Sequence, residues 1–242
     1  MIRIASIELT KYVRAYVVII FCFVLLEIIF LTRVDAKNLF HYGTFDFETF
    51  KTLNSTFSTL LISAIPMTII LNICNEFKNG YALKLISNGL ARVSYCKSKF
   101  ILSGALATVA LLLYLLIISY FLLTHTTTYF DKNLLISSSI EILLFSMFLS
   151  SIAVSLSLLF RSWQYAILGY YVYTIIEAFV AGRFEEGTPW VKYLPFTLVT
   201  SIFELRAVPE KLVDYLLPAS ILIPFCLAIV WVCTHFFKKA DL

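Results

Sequence analysis

The chain has 242 residues, of which 60% are hydrophobic and 14% charged, with a mean hydropathy of +0.90 and a formal net charge of +4. Soluble domains are roughly 45–50% apolar and 25% charged, so this composition excludes a soluble globule. A nucleic-acid-binding protein would show basic patches interleaved with exposed aromatics, and the small, membrane-flanking charge argues against that class too.

The apolar runs are long enough for membrane-spanning helices. The stretch from Phe100 to Leu123 is apolar on all sides, for about twenty residues, which is the length of a spanning helix. Strands of a membrane barrel would instead alternate over about ten residues. The sequence therefore predicts an all-α integral membrane protein that forms a single domain over residues 1–242.

The elements follow in chain order. The first dozen residues alternate loosely between apolar and charged positions, which predicts an amphipathic surface helix, with a frayed tail as the alternative. About six spans come next, at residues 13–31, 55–73 with a kink at Pro66, 100–123, 134–160, 165–180 and 218–237. Residues 195–204 are too apolar for a free loop and too short to span, which predicts a broken, re-entrant segment before the last span.

The basic residues predict the orientation. The N-terminus, the segment between spans two and three, the link between spans four and five and the C-terminus together carry a net charge of +8, against −1 for the other loops. Basic loops stay in the cytoplasm. We therefore expect a multi-pass protein of the cell inner (plasma) membrane with both termini in the cytoplasm, and an N-terminus retained for want of a cleavage site.

Motifs for chemistry are missing from the sequence. No Gly-x-x-x-x-Gly-Lys-[Ser/Thr] loop is present, so the chain cannot be its own P-loop ATPase. His41, His125 and His235 are scattered, and Glu185-Glu186 has no partner on a helical face. The five cysteines show no Cys-x-x-Cys pair and are interpreted as small hydrophobic residues. We expect no catalytic, cofactor-binding or metal site in this chain.

Three glutamates fall inside predicted spans, where a charge usually faces a partner or water. Glu27 and Glu177 lie near span ends and can extend to the interface, whereas Glu141 lies about two turns into the fourth span. Two readings of Glu141 stay open, a buried structural hydrogen bond and a role in a transport pathway. The same span carries a stripe of small residues, interpreted as a packing surface, at Ser146, Ser150, Ala153 and Ser157.

The cytoplasmic segment from Cys74 to Lys99 predicts a short amphipathic helix. Phe77, Tyr81 and Leu85, joined by Ala82 and Ile86, recur at helical spacing on one apolar face, and Asn88-Gly89 ends the helix. Physical reasoning leaves two readings, a linker helix lying on the membrane surface and a docking element for a soluble partner, bracketed by Glu76 and Arg92.

The order of motifs in this segment resembles the type-2 ABC transporter (ABC-2) permease family. The stretch Glu76-Phe-Lys-Asn-Gly80, then Leu85, then Asn88-Gly89-Leu-Ala-Arg92, then Lys99 entering a span, is similar to the segment after that family's second span. Ala91 stands where the family often has Ser, and the common Pro is missing. The ending Phe236-Phe-Lys-Lys-Ala-Asp241 and the arrangement of six spans are also similar.

The resemblance implies a permease subunit of an ATP-driven exporter of hydrophobic or amphiphilic cargo such as a peptide, drug or lipid. Two copies of a cytoplasmic ABC ATPase subunit would bind ATP and Mg, and a second permease chain, identical or related, would complete the pathway. The implied ATPase-coupling residues are Glu76, Phe77, Gly80, Tyr81, Leu85, Arg92 and Lys99. The alternatives are a passive channel, a membrane scaffold and a membrane-embedded enzyme.

Overall fold

The computed structural model describes residues 44–45, 47–124, 126–127, 132–184, 194 and 212–239. These residues form almost entirely helices, in the order β1 (Thr44–Phe45), α1 (Phe47–Lys78), α2 (Tyr81–Ser87), α3 (Arg92–Thr124), β2 (Thr126–Thr127), α4 (Lys132–Phe160), α5 (Trp163–Phe184) and α6 (Leu212–Lys239). The two short strands pair in parallel, Thr44 with Thr126 and Phe45 with Thr127.

Five helices are long and apolar enough to cross a membrane. The windows that meet this description are Leu61–Lys78, Arg92–Tyr120, Ser138–Phe160, Trp163–Arg183 and Ser220–Lys239. They lie on the second to sixth predicted spans, so the helical class and these five helices agree with the sequence. The predicted first span, the N-terminal amphipathic helix and the re-entrant segment 195–204 lie outside the described residues.

α4 is the central helix of the bundle. It packs against α1, α3, α5 and α6, and 67% of its span is buried against 17% for that of α5 and 11% for that of α6. The small-residue stripe permits these close approaches, because Ser146, Ser150, Ala153 and Ser157 are all fully buried. The packing role predicted for this stripe is confirmed.

The link between α4 and α5 is short and has a specific backbone conformation. Between α4 and α5, Arg161 adopts a left-handed backbone conformation (φ 55°), and its N–H donates to the Ser157 carbonyl at 2.9 Å. Gly169 on α5 faces this corner: a Cβ there would lie 3.1 Å from the Phe160 ring. The absence of a side chain at Gly169 therefore lets α5 approach the end of α4 closely.

α1 continues as one helix through Pro66. A proline has no N–H, so the carbonyl of Ile62, four residues earlier, loses its intrahelical donor. Tyr170 on α5 supplies the replacement, with its hydroxyl 2.7 Å from that oxygen. This bond joins α5 to α1 at the point where Pro66 interrupts the backbone hydrogen bonds of α1.

Candidate functional site

The end of the bundle where α1, α4 and α6 finish and α3 and α5 begin is called the basic end. Ring contacts among Phe77, Tyr95 and Phe237 join the ends of α1, α3 and α6. The Arg161 guanidinium near the Phe77 ring adds the link between α4 and α5. The basic residues located there are Lys78, Lys84, Arg92, Lys97, Lys99, Arg161, Lys238 and Lys239. The segment predicted to couple to an ATPase forms part of this end.

α2 is delimited by a glycine at each side. Gly80 has φ 67° and separates α2 from α1, and Gly89 has φ 95° after the Asn88 cap. The Leu90 N–H bonds the Leu85 carbonyl and the Gly89 N–H bonds the Ile86 carbonyl, which is the Schellman arrangement that ends a helix. The predicted end of the helix at Asn88-Gly89 is therefore confirmed.

The predicted single face of Phe77, Tyr81 and Leu85 is wrong. Phe77 belongs to α1, and the left-handed turn at Gly80 changes the chain direction before Tyr81, so the three do not share one helix. Within α2 the inward face is instead formed by Ala82, which is fully buried, with Leu85 and Ile86 packed against the core.

The outward face of α2 carries the side chains that a partner could contact. Tyr81 is 42% exposed and Leu83 is 44% exposed, and Lys84 lies beside them in the exposed class. The sequence analysis does not single out Leu83, because Leu83 falls outside the predicted face of Phe77, Tyr81 and Leu85. Apolar side chains exposed next to a lysine on a short helix suit protein contact.

Glu76 and Lys99 form a buried ion pair between α1 and α3. The Lys99 ammonium lies 2.7 Å from both carboxylate oxygens of Glu76, and the Tyr95 hydroxyl donates to Oε2 at 2.7 Å. Lys99 is 1% exposed and Glu76 is 6% exposed. Both residues were predicted as coupling residues, and their burial points to a positioning role in which they hold the two ends of the α2 loop together.

Aromatic rings extend this cluster to the other helices. The Tyr95 ring stacks on Phe237 of α6 at a centroid distance of 6.0 Å, and Phe77 meets both rings edge-on. The Lys99 ammonium lies 4.9 Å from the Tyr95 centroid, and the Arg161 guanidinium carbon lies 6.0 Å from the Phe77 centroid. Cation–π contacts of this kind strengthen when they are desolvated.

We call Glu76, Phe77, Tyr95, Lys99 and Phe237 the interhelical cluster. Tyr95 and Phe237 were missed in the sequence, because a tyrosine and a phenylalanine in apolar segments carry no signal of their own. Arg92 begins α3 and is half-buried.

Glu141 lies in a second polar region, nearer the opposite end of the bundle. It is 9% exposed and interacts electrostatically with Tyr114 of α3. The hydroxyls of Tyr114 and Ser138 face each other, although neither meets hydrogen-bond geometry with a partner in the described part of the chain. Asn54 of α1 is fully buried one turn from Phe57, whose ring lies 5.4 Å from that of Tyr114.

Burial of the Asn54 amide and of the Tyr114 and Ser138 hydroxyls is costly unless these groups gain partners. Glu177 on α5 is also buried, at 6% exposure. The described residues contain no group of three or more His, Cys, Asp or Glu side chains placed to hold a metal ion.

Comparison of the chain with protein-family models, with curated proteins and with solved structures finds no match in any of the three. The resemblance to ABC-2 permeases therefore stays a prediction that rests on the motifs themselves.

Proposed function

We propose that this chain is the membrane permease subunit of an ATP-driven exporter of the ABC-2 type. The observation that carries the proposal is the placement of α2, a short capped helix with an exposed apolar face, between two span-length helices that a buried ion pair joins. Displacement of α2 would move α1 and α3 together, because the Glu76–Lys99 ion pair resists the separation of these two helices.

In this proposal the basic end faces the cytoplasm, in agreement with the net charge of +8 on that side. A separate ATPase subunit, present in two copies, docks on Tyr81 and Leu83, and its closure on ATP drives α2. In this proposal residues 13–31 supply the first of six spans, ahead of the five span-length helices, and residues 195–204 form the re-entrant segment on the outer side. A second permease chain, identical or related, completes a pathway for hydrophobic or amphiphilic cargo.

The test is ATPase co-purification and cargo export for Tyr81→Ala and Leu83→Ala. Truncating a buried aromatic anchor costs at least about 2 kcal/mol of binding, or roughly thirtyfold in affinity. We expect both variants to insert and fold normally and to lose the ATPase and export together. We expect Arg92→Ala, at the start of α3, also to reduce ATPase co-purification and export.

Two variants serve as controls. Tyr165→Ala truncates a tyrosine that is 62% exposed at the basic end but belongs to α5, and Lys78→Ala removes an exposed charge at the end of α1. Both should keep the ATPase bound. Normal co-purification and export in Tyr81→Ala and Leu83→Ala would remove the coupling role of α2. A wild-type chain that retains no ATPase under gentle extraction would favour a channel, a scaffold or an embedded enzyme.

A further inference from the structure

A groove of about 760 Å³ lies between α4 and α6 at the basic end. Its volume falls within the range of about 300–1,000 Å³ that small-molecule sites occupy. The walls are apolar side chains from both helices, including Leu156, Leu159, Phe225, Ala228, Val232 and Phe236. Several of these are well exposed, Leu159 at 65% and Phe236 at 64%, so the groove offers a concave apolar surface.

The groove has the length of one leaflet of a bilayer. Its residues on α6 run from Phe225 to Lys239, which corresponds to about 21 Å along a helix. One leaflet of hydrocarbon is about 15 Å thick, half of the roughly 30 Å core. An acyl chain can therefore lie along the groove with its headgroup at the basic end.

Two cationic side chains, Arg161 and Lys239, line the same groove at that end. None of the described lining residues is an aspartate or glutamate. A guanidinium and an ammonium at the end of an apolar groove complement a phosphate, since arginine binds phosphate oxygens in bidentate geometry.

We propose that this groove binds one anionic phospholipid of the leaflet at the basic end, with an acyl chain between α4 and α6 and the phosphate beside Arg161 and Lys239. Phe237 also lines the groove and stacks on Tyr95, so the bound headgroup lies next to the interhelical cluster. The inference requires only that α4 and α6 cross a bilayer, and it is independent of the permease assignment.

The test uses the full chain purified in detergent and titrated with phosphatidylglycerol or phosphatidylcholine of identical acyl chains, with bound lipid counted by native mass spectrometry. The wild type should bind phosphatidylglycerol more tightly. The pair Arg161→Gln and Lys239→Gln should weaken phosphatidylglycerol binding by about thirtyfold, because each basic side chain contributes about fivefold, and should leave phosphatidylcholine binding unchanged.

A second variant and a matched control complete the design. Ala228→Trp fills the groove and should weaken the binding of both lipids. The pair Lys84→Gln and Lys97→Gln removes the same charge from exposed lysines outside the groove lining and should bind like the wild type. The Arg161 and Lys239 pair and Ala228→Trp alter different parts of the groove. If size exclusion shows that one of these variants fails to fold, lipid binding by the other still tests the proposal.

Three results would overturn the proposal. One is equal affinity of the wild type for the two lipids, and another is wild-type phosphatidylglycerol binding in the Arg161 and Lys239 pair. The third is Ala228→Trp keeping full phosphatidylglycerol binding while its thermal stability or its oligomeric mass falls. That outcome would show that another segment of this chain, or a second copy, occupies the groove.

Discussion

The Tyr170 hydroxyl donates a hydrogen bond of 2.7 Å to the carbonyl oxygen of Ile62, 108 positions earlier in the chain. Pro66 leaves this carbonyl without its helical donor, and Tyr170 is 2% exposed. The bond therefore satisfies a backbone group that could not otherwise be satisfied in an apolar environment.

We expect Tyr170→Phe to lower the free energy of unfolding by about 1 kcal/mol, since hydrogen bonds between membrane helices contribute about 0.6–1.7 kcal/mol. The unfolding midpoint in a denaturing-detergent titration measures this. Tyr171→Phe is the matched control. The Tyr171 side chain is next in the chain and 40% exposed, so its substitution should change the free energy of unfolding little.

A double-mutant cycle assigns the effect to the proline. In the Pro66→Ala background the backbone N–H at position 66 again reaches the Ile62 carbonyl, so Tyr170→Phe should cost less there than in the wild type. Equal losses in the two backgrounds would contradict this account of the bond.

The Glu76–Lys99 pair is predicted to be strongly coupled. Glu76→Met leaves the Lys99 ammonium buried without its counter-charge, and Lys99→Met does the same to the carboxylate, at a cost of about 3–5 kcal/mol each. The double variant should recover most of this loss, because replacing both ions by apolar side chains is often neutral. Chemical or thermal unfolding of the three variants measures the coupling.

Tyr95→Phe is the companion variant, expected to cost about 1.5–3 kcal/mol, because the lost hydrogen bond is to the charged Glu76 carboxylate. If the losses from Glu76→Met and Lys99→Met simply add in the double variant, the two side chains do not act as a pair. That result would also remove the mechanical argument that α1 and α3 move together.

Glu141→Gln is expected to reduce transport more than assembly. The substitution keeps the shape of the side chain and removes its charge, in a region that also contains the buried polar groups of Tyr114 and Ser138. Export should drop by about tenfold, equivalent to about 1.4 kcal/mol, with normal expression and complex formation. Glu177→Gln, which alters another buried glutamate on α5, is the control.

The alternatives for Glu141 give different results. Collapse of expression would show that the glutamate is a structural hydrogen-bonding group. Normal export in an intact complex would contradict both the pathway and the structural role.

The orientation is predicted from charge and is tested by labelling single cysteines, in a chain without its native ones, with an impermeant maleimide on intact cells. Asn38→Cys, His41→Cys and Glu185→Cys should react, whereas Lys84→Cys and Lys239→Cys should react only after permeabilisation. Reaction at position 84 with none at position 185 would invert the topology and contradict the permease proposal.

The sequence alone determined the five span-length helices of the described residues. Span-length apolar runs require helices because lipid cannot satisfy backbone polar groups, and this local property located α1, α3, α4, α5 and α6. The glycine after Asn88 likewise located the end of α2, and the small residues of α4 indicated close packing. Each of these inferences depends on residues near one another in the chain.

Only the tertiary structure decided which of these residues meet. Glu76 and Lys99 lie at nearly equal distances from the turn at Asn88, a symmetry that could have indicated a pair across a helical hairpin, but each charge was interpreted as a site for a soluble partner. The left-handed turn at Gly80 removed Phe77 from the face of α2 and exposed Leu83 beside Tyr81. Because Pro66 has no N–H, the Ile62 carbonyl needs another hydrogen-bond donor. Only the packing of α5 on α1 identifies Tyr170 as that donor. The reason in each case is that contacts between helices depend on crossing positions and rotations, which the hydrophobicity of a single segment does not specify.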